Sequence, residues 1–396
     1  MDSGGKRPAT NDNTNSSSKK SKISKQGEDD IWDSINLEKL DIKALYQYIK
    51  SKDNLVNILN SDGYGLLYLA AYNKSVEALR ILLLQPNIDV NQLNGPHHEL
   101  ALHAACSKGL FDAVELLIEN GSMLDVKDSL GHTPLTNAIF SCCLPCVELL
   151  TKSEGGEGGE GSDTSVTDEQ GNTLVHLAAT NNFTTVIPLL ISKKVPVDSL
   201  NQRGLSPLAI AISFGHLDVA LALIDGGADV NGKTRFATVL HHAVTWNRLE
   251  IVKKLVECEC DVNVVNEMEE TPLYLAVQQR KIDIVVYLIE VAKADPCYML
   301  SNPSNTANLP LLYAANHGYT EMCKILLNSH TSTFFIQTAA DMSRRVGFAM
   351  TETFLKDSIQ ERTSTSTTPS DATMTADKDD EAAFASLFNT FSDDEE

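Results

Sequence analysis

The side chains best suited to metal or nucleophilic chemistry are eight cysteines and ten histidines. Cys142-Cys143-Leu144-Pro145-Cys146 contains a C-x-x-C, and Cys258-Glu259-Cys260 holds a closer pair. A tetrahedral zinc site needs four converging ligands, and neither group has a second pair at matching spacing. A structural role for these thiols is therefore expected, with redox sensitivity as the lesser reading. The cysteines form no disulfide-like framework, which suits a reducing compartment. His103, His176 and His241 stand far apart in sequence. No nucleophile elbow, P-loop, H-E-x-x-H or kinase set accompanies them. We expect no enzymatic activity, no cofactor and no metal.

These residues fall into a repeating frame, seen most clearly over Asn201–Asn231, NQRGLSPLAIAISFGHLDVALALIDGGADVN. A turn leads to Ser206-Pro207-Leu208, an apolar helix, Gly215-His216, a second apolar helix and Gly226-Gly227. Ser206 can cap the first helix, and Pro207 suits the first helical position, where its missing N–H costs nothing. Gly215 and the Gly226-Gly227 pair allow the left-handed residues that end helices. The slot after the proline is filled by Leu67, Leu102, Leu135, Val175, Leu208, Leu240, Leu273 and Leu311, with Ala340 in a degenerate last copy. The successive intervals are 35, 33, 40, 33, 32, 33, 38 and 29 residues.

Copies such as His132-Thr133-Pro134-Leu135, Leu174-Val175-His176-Leu177-Ala178-Ala179 and Glu270-Thr271-Pro272-Leu273 resemble the ankyrin repeat, a unit of about 33 residues with a T-P-L-H-x-A-A signature. The resemblance covers about nine copies. It implies an all-α solenoid of paired helices joined by β-hairpin loops, with a concave binding face and with His103, His176 and His241 hydrogen-bonded to backbone. In that frame Cys142 takes the helix-ending glycine slot.

The chain divides accordingly. Residues 1–27 are polar, lack an apolar signal-peptide core, and are expected to be disordered. Lys6-Arg7 followed by Lys19, Lys20 and Lys22 reads as a bipartite nuclear-localisation signal for an importin, against an ordinary charged tail. Residues 28–60 read as N-terminal capping helices, with helical spacing from Leu37 to Leu59. Repeats are expected over 61–357, interrupted by an acidic glycine-rich insertion at 153–166. A Ser/Thr-rich linker should span 358–376, and an acidic-aromatic tail 377–396, also disordered when free. There Phe384, Leu387, Phe388 and Phe391 fall on one helical face, as in activation segments that fold into a partner's groove. Ser392, ahead of three acids, resembles an acidophilic-kinase site.

No apolar run reaches the length of a membrane span, so no membrane partner is expected. The formal charge is −21. Residues 1–27 carry +4 and residues 363–396 carry −8, which leaves −17 for the stretch between. That charge predicts no direct nucleic-acid binding and an acidic concave face that attracts basic proteins.

The last positions of each first helix should line that face: Tyr72, Asn73, Lys108, Phe140, Phe214, Trp246, Gln278, Gln279 and His317. Exposed aromatics there would serve as anchors. Arg203, Arg235, Phe236 and Met268 at the hairpin tips add specificity. The resemblance also marks Asn91, Asn231 and Asn263 as positions that asparaginyl hydroxylases modify in some relatives, against a structural role in the hairpin. The combined reading is a nuclear, monomeric, non-enzymatic adaptor or transcriptional co-regulator. An escort for a basic client such as a histone or ribosomal protein, and a cytoplasmic scaffold or ubiquitin-ligase substrate adaptor, are the alternatives.

Overall fold

The computed structural model describes residues 42–51, 56–152, 161–298, 308–327 and 331–365. The basic cluster, the glycine-rich stretch 153–160, the tail motif and Ser392 lie outside them.

Short helices alternate between two rows. The first-helix row holds α2 (Leu66–Tyr72), α4 (Ala101–Ser107), α6 (Pro134–Phe140), α8 (Leu174–Thr180), α10 (Pro207–Phe214), α12 (Val239–Thr245), α14 (Pro272–Gln278) and α16 (Pro310–Asn316). The second-helix row holds α1 (Ile42–Ser51), α3 (Val76–Leu83), α5 (Phe111–Glu119), α7 (Leu144–Lys152), α9 (Ile187–Ser192), α11 (Leu217–Asp225), α13 (Leu249–Glu257), α15 (Ile282–Glu290) and α17 (Thr320–Leu326). Each helix packs on its neighbour in its own row and on its partner across the row, so the core is one continuous seam. Among the described residues no helix is long and apolar enough to cross a membrane.

The frame dictates these bounds. Every residue of the Leu slot from Leu67 to Leu311 is the second of its helix and is buried. The Ser206, Thr133 and Thr271 hydroxyls accept N–H bonds from Ala209, Thr136 and Tyr274 at 3.3, 3.4 and 3.1 Å. Each turn between paired helices has one left-handed residue: Lys74, Gly109, Cys142, Asn182, Gly215, Asn247, Arg280 or Gly318. Cys142, at φ 53°, thus fills the expected glycine slot. Gly226 departs from expectation. Its φ is −81°, and only Gly227, at 91°, is left-handed. Gly226 is instead a close approach, because a Cβ there would run into Ile191.

The two ends differ from the sequence reading. Residues 56–60 form a turn and a bridge from Leu59 to Gly65, not a helix. Leu59 is exposed there, Ile58 is half-buried and Val56 is buried. At the far end, α18 (Thr333–Val346) and α19 (Ala349–Thr365) are about twice as long as the helices before them. Ala340 is buried mid-helix rather than second in its helix, so the last copy has lost the register. Helix α19 runs eight residues beyond 357, into the expected linker. Its buried Leu355 and Thr351 cover the end of the stack, which a terminal unit must do for want of a neighbour.

Candidate protein-docking face

The buried histidines join one repeat to the next. His176 Nδ1 accepts the Thr173 N–H at 3.1 Å, and its Nε2–H reaches the Leu205 carbonyl, 29 residues on, at 3.0 Å. His241 does the same with Thr238 and with the Glu270 carbonyl at 2.9 Å. His103 bonds the Leu100 N–H and the Val126 and His132 carbonyls. Burial lowers the pKa of all three, to about 4 for His241, so the rings are neutral near pH 7. With both nitrogens committed, they have neither a free lone pair for a metal nor an open side for catalysis.

The cysteines are more closely grouped than their spacing suggested. Cys143 and Cys146 hold their sulfurs 2.6 Å apart, and Cys143 also reaches the Gly109 carbonyl of the preceding turn at 3.7 Å. Burial raises the Cys106 thiol well above its ordinary value and also raises Cys146. Such thiols are protonated and pack as small apolar groups. Among the described residues no three His, Cys, Asp or Glu side chains gather as a metal site.

Asn91, Asn231 and Asn263 serve a structural role that differs from the expected one. None is left-handed. Each carboxamide oxygen accepts a backbone N–H from the following repeat: Met123 at 2.8 Å, Asp261 at 2.8 Å and Asp295 at 3.0 Å. The side chains therefore staple repeats together rather than the hairpin to itself.

The expected docking residues lie one or two per repeat, at the ends of the first helices or in the turns that follow. Tyr72 is 47 % exposed, Phe140 37 %, Phe214 60 % and Trp246 49 %. Gln278, Gln279 and His317 are exposed as well, while Asn73 and Lys108 are half-buried. Several rings lean on a neighbour without being covered. Tyr72 stacks on Tyr68 at 6.1 Å, Phe140 meets His132 edge-on at 5.0 Å, and Phe214 stacks on His216 at 5.7 Å. His317 is more committed, stacked on Tyr313 at 4.0 Å and bonded to its carbonyl. At the hairpin tips Phe236 and Met268 are 60 % and 72 % exposed, and Arg203 and Arg235 are exposed too.

The expected acidity of this face is corrected by the structure. Helices α2, α4, α6, α8, α10, α12, α14 and α16 contain no Asp, Glu, Lys or Arg. The turns that follow them carry Lys74, Lys108, Arg248, Arg280 and Lys281, and no acid. The second-helix row from α3 to α17 holds twelve acids against five bases. That row is therefore net acidic, with many further acids in the hairpins between repeats. Acids also stand in the hairpins near the docking residues: Tyr68, which stacks on Tyr72, donates to Glu99, and His132, which meets Phe140, lies 3.5 Å from Asp128. Arg248, Arg280 and Lys281 were not singled out from the sequence. Their signal was available, since they occupy the turn that also holds Lys74 and Lys108.

The family model for ankyrin repeats matches three blocks, residues 67–159, 159–234 and 240–338. Those blocks cover most of the chain and follow the helix pairs described above. The chain is an ankyrin-repeat protein. It is 29 % identical over 235 residues to the B-cell lymphoma 3 protein homolog of Mus musculus, covering 57 % of this chain and 51 % of that protein. It is 26 % identical over 247 residues to a poly [ADP-ribose] polymerase tankyrase of Caenorhabditis elegans, covering 59 % of this chain and 10 % of that protein. Among solved structures, the ankyrin repeat domain of Bcl-3, described as a unique member of the IkappaB family, matches with a TM-score of 0.50 and 26 % identity. That match covers 57 % of this chain and 99 % of the other. The chain thus spans about half or less of these curated relatives. Ankyrin repeats are protein-interaction modules, and this chain carries them over most of its length.

Proposed function

We propose that this ankyrin-repeat protein is a non-enzymatic nuclear adaptor or co-regulator that holds a protein partner against its first-helix row. The observation that carries the reading is the set of large aromatics, Tyr72, Phe140, Phe214 and Trp246, left at least one-third exposed in consecutive or near-consecutive repeats. Aromatics supply contact area at low entropic cost, and solvated rings of this size are favoured anchors. Similarity to the B-cell lymphoma 3 homolog and to nuclear factor NF-kappa-B p105 of Gallus gallus, 27 % identical over 201 residues, supports a transcription-linked partner. Lys6, Arg7, Lys19, Lys20 and Lys22 would engage importin, and the Phe384–Phe391 motif would dock in a second protein. The acting unit is a monomer.

Proximity labelling in cells, compared between the native chain and Phe214→Ala/Trp246→Ala, tests the docking face. Partners should be lost from the variant; an unchanged set removes the reading. Nuclear entry should fail when Lys19 and Lys20 are replaced by Ala, and a reporter fused to residues 363–396 should be activated. The escort of a basic client is favoured by one observation, the acids of the second-helix row, and would use that row instead. Client binding that survives Phe214→Ala/Trp246→Ala and weakens steeply with salt would select it.

A further inference from the structure

The cations of the two rows are treated differently. On the second-helix row and the terminal pair, Lys152, Lys253, Lys254, Lys324, Arg344 and Lys356 each sit within ion-pair distance of a carboxylate. Along the docking face Lys108 lies over the Tyr72 ring at 3.9 Å and Arg280 over Tyr319 at 5.0 Å. Arg248 Nε donates to the Ile212 carbonyl at 3.3 Å, beside Gly215. Lys281 Nζ donates to the Val244 and Thr245 carbonyls at 2.7 and 2.5 Å. Among the described residues none of these four has a carboxylate partner. The bonds of Arg248 and Lys281 also run from one turn to the end of the first helix before it. They place Phe214, Trp246, Arg248, Arg280 and Lys281 in one continuous strip, apolar and cationic together.

Such a strip matches a segment that sets aromatics between acidic clusters, and this chain contains one. Residues 377–396 hold Phe384, Leu387, Phe388 and Phe391 at helical spacing between two acidic clusters. We propose that this segment docks in cis on the strip formed by Phe214, Trp246, Arg248 and Arg280, where a partner must displace it. The proposal rests on reading the first-helix row as a docking face, and it names that face's resident occupant.

Reach favours the nearer half of the face. Helix α19 ends at Thr365, leaving eighteen residues before Phe384. A flexible chain of that length has a root-mean-square span of about 23 Å and a limit of about 60 Å. Helix α19 runs back along α18, its Arg362 bonding the Thr331 carbonyl, so Thr365 lies about 20 Å from the turn end of that row. With three packing steps from α18 back to α12, at about 10 Å each, the path is about 36 Å. Lys108 and Tyr72, seven and eight steps away, are beyond the limit. That path exceeds the root-mean-square span but lies within the limit, so the contact can form in cis at an effective concentration below that of a matched tether.

The test uses a fluorescent peptide of residues 377–396, the full chain, and a full-chain tail variant with Phe384, Leu387, Phe388 and Phe391 changed to Ser. The peptide should bind the tail variant about tenfold or more tightly than the native chain, because the native strip is already filled. Adding Arg248→Glu and Arg280→Glu to the tail variant should lose that binding by about tenfold, and adding Lys108→Glu should leave it unchanged. Arg248 also bonds the backbone, so Arg280→Glu alone is the companion variant should the pair unfold. No binding to the tail variant, or equal binding to both full chains, overturns the proposal. Either result, together with partner loss in Phe214→Ala/Trp246→Ala, leaves the docking face standing and removes only its occupant.

Discussion

The two rows of helices are built from similar lengths of chain and bury the same seam, yet their compositions have little in common. The first-helix row has no charged residue in eight consecutive helices, whereas the second-helix row alternates apolar and charged positions as surface helices do. First helices touch a neighbour on each side and their partner behind, so all but their last positions are enclosed. Three polar side chains among those they retain, His103, His176 and His241, are buried with both ring nitrogens bonded. Second helices leave one side to water and hold their charges there. The difference teaches that exposure at the end of a first helix is the exception in its row, and so carries more information than the same exposure opposite.

The comparison would break most visibly at the histidines. His241→Ala should destabilise the folded chain by about 2–4 kcal/mol in urea denaturation, through a cavity and an unpaired Glu270 carbonyl. A loss below about 0.5 kcal/mol would mean that the row does not depend on these links. Acid should act through the same groups. The His241 pKa is lowered from 6.5 to about 4, so the unfolded chain binds the proton first. Stability is then full above pH 6.5, falls as pH drops toward 4, and changes no further through this group below that. The loss attributable to His241 is about 3 kcal/mol, with further losses of the same sign from His103, His176 and His242. Denaturation midpoints at a series of pH values would show it, and His241→Ala should flatten the profile.

Smaller effects sharpen the contrast. Cys142→Gly should stabilise by about 1 kcal/mol in thermal unfolding, because a side chain at φ 53° is strained and glycine is not. Asn263→Ala should cost about 1 kcal/mol by removing the acceptor for the Asp295 N–H. Phe214→Ala/Trp246→Ala should change stability by less than about 0.5 kcal/mol each, since neither ring supports the core, while abolishing partner capture. Loss of stability instead would return those rings to the packing of the row.

Much of the fold was legible because one local rule recurs. A hydroxyl cap, a proline and a left-handed turn residue fix where each first helix starts and stops, so Leu67 to Leu311 could be aligned without coordinates. The ends were less legible for the same reason. Around Ala340 the rule lapses, and the Ser/Thr run after residue 362 gives no apolar period from which to read a helix. The docking aromatics were found because register places them at the open ends of first helices. The strip of Arg248, Arg280 and Lys281 was missed because net charge is a sum and carries no address.

The sequence by itself determined the repeat, its register, the glycine slot taken by Cys142 and the inward turn of the three histidines, because each depends on residues within one unit. Only the tertiary structure decided what passes between units. It paired Asn91, Asn231 and Asn263 with backbone about thirty residues on, brought Cys143 to the Gly109 carbonyl, and set Lys281 against the carbonyls that end the previous first helix. It also showed that Lys108, Arg248, Arg280 and Lys281 have no carboxylate partner among the described residues, whereas Lys152, Lys253, Lys254 and Lys324 of the opposite row have one. The contacts of the asparagines, Cys143 and Lys281 join residues a full repeat apart, and their distances are fixed by how one helix pair leans on the next.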